Sequence, residues 1–252
     1  MSEQTLHTAA TWAEIGFAFA ALVALVFVTA PYGRHRRSGW GPTVPNVAGW
    51  IIMESPAVVA FGAIYLSGEN AFEAVPLVLA GMWMVHYLHR TFVFPFRVRT
   101  GGKRMPMVIA AIAFAFNCLN AYIIARWISQ FGGYQPSWLG DPRFVVGALV
   151  FLTGLAINLR ADTILIGLRG RGDTGYRIPR GWLYEYVSCP NYLGEIIEWA
   201  GFAVATWSLP GLAFAVFTAA NVGPRAIANH RWYRATFPDY PGDRKALIPF
   251  VI

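Results

Sequence analysis

The chain has 252 residues, of which 56% are hydrophobic and only 13% charged, with a formal net charge of +7. A soluble domain carries roughly 25% charged residues, so an ordinary water-soluble globule is excluded, and the length suits one membrane-embedded bundle without an added soluble domain. In a soluble chain the positive surplus would raise nucleic acid as a partner; here the placement of the basic residues accounts for it, and no nucleic acid is expected.

Seven apolar segments follow one another, at about 12–30, 47–66, 72–88, 107–128, 144–166, 193–207 and 212–228. Several approach the roughly 20 residues that a helix rising 1.5 Å per residue needs to cross a bilayer. The sixth is short, and Leu209-Pro210-Gly211 reads as a tight turn into the seventh. The expected fold is an all-α integral membrane bundle of seven transmembrane helices, one domain over 1–252 and a monomer. The polar tail before the first segment has no basic stretch, so no cleavable signal peptide is expected. Cys118 lies within a span and Cys189 in a basic loop, so no disulfide is expected.

Arg34, Arg36 and Arg37 follow the first segment. Arg90, Arg97, Arg99, Lys103 and Arg104 follow the third. Arg160, Arg169, Arg171, Arg177 and Arg180 end or follow the fifth, and Arg225, Arg231, Arg234, Arg244 and Lys245 end or follow the seventh. The opposite loops carry Glu69 and Glu73, then Asp141 beside Arg126 and Arg143. With basic residues marking the cytoplasmic side, the N-terminus faces out and the C-terminus faces the cytoplasm, as an odd number of spans requires. The strong preference for Arg over Lys suggests a GC-rich bacterial genome and hence a bacterial inner membrane, or the endoplasmic reticulum in a eukaryote.

Polar residues at membrane depth carry the functional signal. Glu54, in WIIMESPAVVAFGAIYL, costs about 3 kcal/mol to insert and needs a partner or a task; Pro56 opens the helix beside it and frees carbonyls. Tyr87 ends the third segment, where a tyrosine by itself is an interfacial anchor. Asn158 and Asp162 share a helix face at i, i+4, and Asn191 and Glu195 repeat the spacing. Two such faces hold either a polar ligand between them or simply each other. His86 and His89 are one turn apart, but without a further histidine-rich box they read as hydrogen-bonded interfacial imidazoles, and no metal is expected. Gly170, Gly172 and Gly175 form a GxGxxG that neither follows a strand nor opens a βαβ unit, so it is no Rossmann fingerprint. A glycine- and arginine-rich loop can still hold phosphate through backbone N–H groups and guanidinium forks.

Taken together, ESPA at 54–57, HYLHRTFVFPF at 86–96, INLRADTIL at 157–165, GYRIPRGWLYEYVSCPNYLGEIIEW at 175–199 and NHRWYRATFPDYPGDRKALIPF at 229–250 resemble the steroid 5-alpha-reductase family of membrane enzymes. Within it, a bacterial member similar to the type 2 enzyme is expected. The resemblance implies NADPH-dependent reduction of the C4–C5 double bond of a 3-oxo-Δ4 steroid, or of another enone lipid. It implies a substrate pocket built mainly from the first four spans and a cytoplasmic cofactor pocket from about 157–250. Glu54 and Tyr87 match the pair that holds the 3-keto oxygen, where donors stabilise the enolate formed as hydride reaches C5. Asn158, Asp162, Arg169, Tyr176, Arg177, Asn191, Glu195, Arg225, Asn229 and Tyr233 match positions used around NADPH, with the arginines expected at the phosphates and Asn191 and Glu195 at the nicotinamide or ribose. Met53 and Asn229 depart from the Gln and His of vertebrate members. The competing readings are a sterol double-bond reductase, an isoprenylcysteine-type carboxyl methyltransferase that PNYLGE partly resembles, and a non-catalytic sterol-binding or transport protein.

Overall fold

A computed structural model describes residues 1–99, 101–170 and 175–252. Arg171 of the expected cytoplasmic charges and Gly172 of the GxGxxG match lie outside the described residues. The described helices are α1 (Glu3–Phe27), α2 (Asn46–Glu54), α3 (Val59–Leu66), α4 (Ala74–Leu88), α5 (Phe94–Arg97), α6 (Met107–Arg126), α7 (Pro142–Gly167), α8 (Pro190–Thr206) and α9 (Leu209–Thr236). Each of the seven apolar segments is helical. Five helical stretches are long and apolar enough to cross a membrane: Glu3–Phe27, Asn46–Leu66, Met107–Phe131, Pro142–Gly167 and Leu209–Thr236. At 15 and 17 residues, α4 and α8 are shorter than these five stretches. Large apolar side chains face outward on this bundle, among them Phe19, Val146 and Leu149, and faces of that kind suit hydrocarbon rather than water.

Two ends differ from the sequence expectation. Leu209-Pro210-Gly211 is not the turn into the last helix but its first turn, with the proline at a position whose N–H is not needed. The reversal sits one step earlier, at Trp207 in the left-handed region (φ 44°), followed by Ser208, whose hydroxyl accepts from the Gly211 N–H at 3.0 Å. In addition α9 continues to Thr236, which puts Arg225, Asn229 and Tyr233 on one helical face at i, i+4 and i+8.

The entrances of α2 and α6 are tied by a two-stranded pairing of Thr43–Pro45 with Arg104–Pro106, Val44 opposite Met105. From that antiparallel pairing the two helices turn in the same direction, and Asn117 of α6 comes level with Met53 of α2, donating to its carbonyl at 2.7 Å. The core is aromatic. Trp83 of α4 is fully buried, with ring centroids 4.5 Å from Tyr87, 5.1 Å from Phe61 and 5.4 Å from both Trp199 and Phe214. That cluster joins α3, α4, α8 and α9.

The closest contact in the bundle is backbone against backbone. Gly147 and Gly154 lie two turns apart on α7, and Gly194 and Gly201 two turns apart on α8. A Cβ on Gly194 would sit 2.5 Å from the Asn158 nitrogen, one on Gly154 2.6 Å from the Gly194 oxygen, and one on Gly201 2.7 Å from the Gly147 oxygen. Backbone atoms cannot swing aside as a flexible side chain can, so small residues here set the helix spacing. Gly154→Ala and Gly201→Ala are each expected to cost about 1–3 kcal/mol, the range for overpacking. Gly223→Ala is the control: no atom approaches its Cβ within 4 Å, and about 1 kcal/mol of helix propensity is gained. Thermal unfolding of the detergent-solubilised variants gives the comparison.

Candidate functional site

An internal cavity of about 850 Å³ opens between α1, α2, α4, α6, α8 and α9. Its walls are mostly apolar, with Phe17, Ala21 and Leu25 from α1, Trp50 and Met53 from α2, Ile109, Ile112 and Phe116 from α6, and Phe214 and Phe217 from α9. Polar groups on the same walls are fewer and come from several helices, among them Glu54 of α2, His86 and Tyr87 of α4, Arg90 just after it, Asn117 of α6, Tyr192 and Glu195 of α8, and Thr218, Asn221 and Arg225 of α9. A large apolar cavity with a few convergent polar groups is the ordinary build of a site for a small lipid-like ligand.

Glu54 reaches the cavity because its helix is interrupted there. Pro56 lacks an N–H, and α2 passes through a tight turn at Ser55–Ala57 before α3 resumes the same rod. Four carbonyls around this turn are taken by side chains. The Ser55 hydroxyl donates to the Ile52 oxygen at 2.9 Å, Asn117 Nδ2 to the Met53 oxygen at 2.7 Å, Thr91 Oγ1 to the Glu54 oxygen at 3.4 Å and Trp83 Nε1 to the Ala57 oxygen at 2.7 Å. Asn117 Nδ2 also lies 3.3 Å from Glu54 Oε2. Across the cavity Tyr87 is held edge and face by its neighbours, its ring 4.5 Å from Trp83 and 4.9 Å from His86.

Behind this pair lies a buried polar network. His86 Nδ1 meets Glu198 Oε1 at 2.8 Å. Arg90 Nη1 reaches Asp162 Oδ2 at 3.3 Å while its guanidinium lies over Phe94 at 4.4 Å and Trp50 at 4.7 Å. Asn191 Nδ2 donates to Asp162 Oδ1 at 3.1 Å, and Asn158 Nδ2 donates to the Asn191 carbonyl at 3.0 Å. The two amide–carboxylate faces of α7 and α8 do meet, and their first partners are each other.

A second cluster forms where the loops after α1, α5 and α7 converge on the end of α9. Around the Tyr176 ring stand Lys103 at 4.2 Å, Arg169 at 4.5 Å and Arg34 at 5.3 Å. Lys103 Nζ donates to the Tyr176 hydroxyl at 3.0 Å, and the Arg34 guanidinium lies over Tyr233 at 4.5 Å and Trp232 at 4.9 Å. Three cations share one aromatic platform, and Arg34 Nη1 is buried without a hydrogen-bond partner among the described residues. Between the clusters, His35 Nε2 donates to Asn229 Oδ1 at 3.0 Å, and Asn229 Nδ2 lies 3.7 Å from Cys189 Sγ. Burial holds the His35 imidazole below its ordinary range, against the opposing effect of the Asn229 contact, and pushes the Cys189 thiol up to about 11. Arg225 lies within the cavity wall, 3.4 Å from the Tyr192 hydroxyl and 5.0 Å from the Tyr32 ring.

The structure thus gathers Glu54 and Tyr87 on one cavity, Asn158, Asp162 and Asn191 in one network with Glu195 on the cavity wall beside it, and Arg169, Tyr176 and Tyr233 in the loop cluster. Arg177 is exposed on the same loop. Arg34, Arg90 and Lys103 entered the sequence reading only as charges, and Tyr32, His35, Asn117 and Tyr192 did not enter it as site residues. Asn117 carried the same signal as Glu54, a polar group deep in an apolar span.

Comparison with known proteins completes the picture. The family described as 3-oxo-5-alpha-steroid 4-dehydrogenase matches residues 103–252. The chain is 46% identical to the steroid 5-alpha-reductase DET2 of Arabidopsis thaliana over 91% of this chain and 90% of that one. It is 45% identical to the DET2 of Gossypium hirsutum over 91% of both, and 41% identical to the 3-oxo-5-alpha-steroid 4-dehydrogenase 1 of Bos taurus over 100% of this chain and 99% of that one. The expectation of a bacterial, type 2-like member is not borne out by these plant and type 1 relatives; an excess of Arg over Lys reflects codon composition, not lineage. The chain belongs to the 3-oxo-5-alpha-steroid 4-dehydrogenase family.

Proposed function

We propose that this protein reduces the C4–C5 double bond of 3-oxo-Δ4 steroids to 5α-dihydro steroids with NADPH. The observation that carries this reading is the placement of Glu54 and Tyr87, 33 positions apart in the chain, on one apolar cavity of about 850 Å³. The names carried by the similar proteins support it. Apolar walls take the rings of the steroid, and Tyr87 donates to its 3-keto oxygen. As the C4–C5 bond is reduced, negative charge moves onto that oxygen, and a phenol O–H held in place by aromatic packing stabilises it without reorganising. A protonated Glu54 is the second donor, oriented by Asn117.

The residues present fit a phosphorylated dinucleotide. Arg34, Lys103 and Arg169 would hold its phosphates, with the buried, unpartnered Arg34 Nη1 as the plainest sign. Asn158, Asp162, Asn191, Glu195, Asn229 and Tyr233 would hold the ribose and nicotinamide end. Arg225 belongs with the cavity. When bound, NADPH would supply the hydride. The proposed arrangement in the membrane is seven spans, α4 and α8 included, with the N-terminus out, the loop cluster in the cytoplasm and the protein a monomer.

The test is purified protein with testosterone or progesterone and NADPH, products followed by mass and stereochemistry. Tyr87→Phe is expected to lower kcat on the order of 10²–10³-fold, the loss for one oxyanion donor, and Glu54→Gln to lower kcat more than it raises KM. Turnover unchanged in both variants would remove this pair from the mechanism. Separately, Arg34→Gln and Arg169→Gln are expected to weaken NADPH binding about 10- to 100-fold, the value of one charged hydrogen bond, with NADH binding affected less. Equal losses for the two nucleotides would place these arginines away from the 2′-phosphate.

A further inference from the structure

The inward stripe of α1 is polar where an apolar one would be expected. Its buried residues are His7, Thr11, Glu14 and Ala18, at helical spacing. Glu14 is completely buried, and neither carboxyl oxygen has a hydrogen-bond partner among the described residues. On the facing helix Asn120 is equally buried, with both its amide nitrogen and its oxygen unpartnered. Neither residue has a place in the reduction chemistry described so far. Each would be cheaper as a leucine, by about 3 kcal/mol for a carboxylate at the centre of a span.

The register of the two helices shows where these groups lie. Arg126 Nε and Nη2 each donate to Glu3 at 2.7 Å, and His7 Nε2 donates to the Ile123 carbonyl at 2.8 Å. The helices are therefore antiparallel, α1 running inward as α6 runs outward. Seven residues beyond His7, Glu14 comes level with Phe116 and Asn117. Phe17, one turn further, is already on the cavity wall, as are Phe116 and Asn117. Glu14 thus stands at the end of the cavity nearest the N-terminal face, at the depth of Asn117, which hydrogen-bonds Glu54.

We propose that Glu14 is a proton-relay residue, and that His7, Thr11, Glu14, Asn120 and Asn117 form a seam that carries protons, with water, from the N-terminal membrane face to Glu54. The inference rests on the reductase reading and adds what that reading lacks. Saturating an enone takes one hydride and one proton. A dinucleotide held at the loop cluster would occupy the cytoplasmic side, which leaves the N-terminal face as the way in for the proton. Glu54 gives its proton to the enolate oxygen as the C4–C5 bond is reduced. The enol then becomes the ketone as a cavity water takes the O–H proton and gives one to C4, which leaves that water unchanged. Glu14 restores the proton to Glu54 and takes its own from water, so one proton leaves bulk water per turnover. Glu14 touches neither steroid nor nucleotide in this scheme and acts only through Glu54.

Two readouts test it. In the first, infrared difference spectra of the purified protein in H2O and D2O are compared with those of Glu14→Gln and Asn120→Leu. A carboxylic-acid band is expected that exchanges with D2O, disappears in Glu14→Gln and shifts in Asn120→Leu; a Glu14 band that does not exchange overturns the proposal. In the second, kcat, KM and the solvent deuterium isotope effect are measured for Glu14→Gln, Glu14→Asp and Glu14→Leu. Glu14→Gln, which keeps the shape, is expected to lower kcat about 10²-fold, the low end for a positioned proton donor. The isotope effect should rise, KM should stay unchanged, and Glu14→Asp should recover part of the rate. Wild-type kcat and isotope effect in Glu14→Gln or Glu14→Leu overturn the proposal. Should the wild-type protein reduce no enone, the reductase reading fails, and the infrared exchange alone still decides whether Glu14 carries protons.

Discussion

Much of this molecule depends on α7 and α8 meeting backbone to backbone. Four glycines, two turns apart on each helix, let the main chains approach to distances at which any Cβ would collide with peptide atoms. In lipid there is no hydrophobic gain from helix association, so contact of this closeness is what holds two apolar helices in one register. Register then decides the chemistry. It brings Asn158 to the Asn191 carbonyl and Asn191 to Asp162, and it points Glu198 at His86 and Asp162 at Arg90. A slip of one residue along either helix would separate Asn191 from both Asn158 and Asp162 and pull one carboxyl group, Asp162 or Glu198, from its cation at membrane depth, where that is most costly.

The break at Pro56 solves the opposite problem. A helix interrupted inside a membrane leaves carbonyls without donors, and water is not at hand to satisfy them. Ser55, Asn117, Thr91 and Trp83 supply the donors from three other directions. The interruption is therefore held by the surrounding structure, and it turns Glu54 into the cavity. The same asparagine that satisfies the Met53 carbonyl also touches the Glu54 carboxyl, so the backbone break and the orientation of the acid share one side chain.

The two ends of the cavity differ in charge. Toward the loops, guanidinium and ammonium groups gather on aromatic rings, an arrangement in which a planar cation is held in place by stacking and keeps its N–H donors for an anion. Toward the N-terminal face, the polar groups are an acid, amides, a hydroxyl and an imidazole, the residue types that pass protons rather than bind phosphate. A reduction that consumes a hydride and a proton has use for both ends, each kept from the other by the apolar walls between them.

The sequence by itself determined that the chain lies in a membrane, that seven apolar segments follow one another, and that the basic residues crowd on one side. It singled out Glu54, Asn158, Asp162, Asn191 and Glu195, because a polar group inside an apolar run is costly wherever it ends up. The strings at 54–57, 86–96 and 175–199 pointed to the family before any geometry was known. Only the tertiary structure decided which polar groups face each other. Arg34, Lys103 and Arg90 looked like orientation charges until folding set them on Tyr176, Tyr233 and Asp162. Glu14 lay in the first segment unremarked, and the glycines of α7 and α8 looked like ordinary residues of apolar runs. The turn placed at Leu209–Gly211 was one step late, since Pro and Gly open a helix as readily as they precede one. The reason is common to all of these. Hydropathy and charge are properties of single positions, legible along a line, whereas a partner 60 or 100 residues away depends on helix packing, which no local pattern contains.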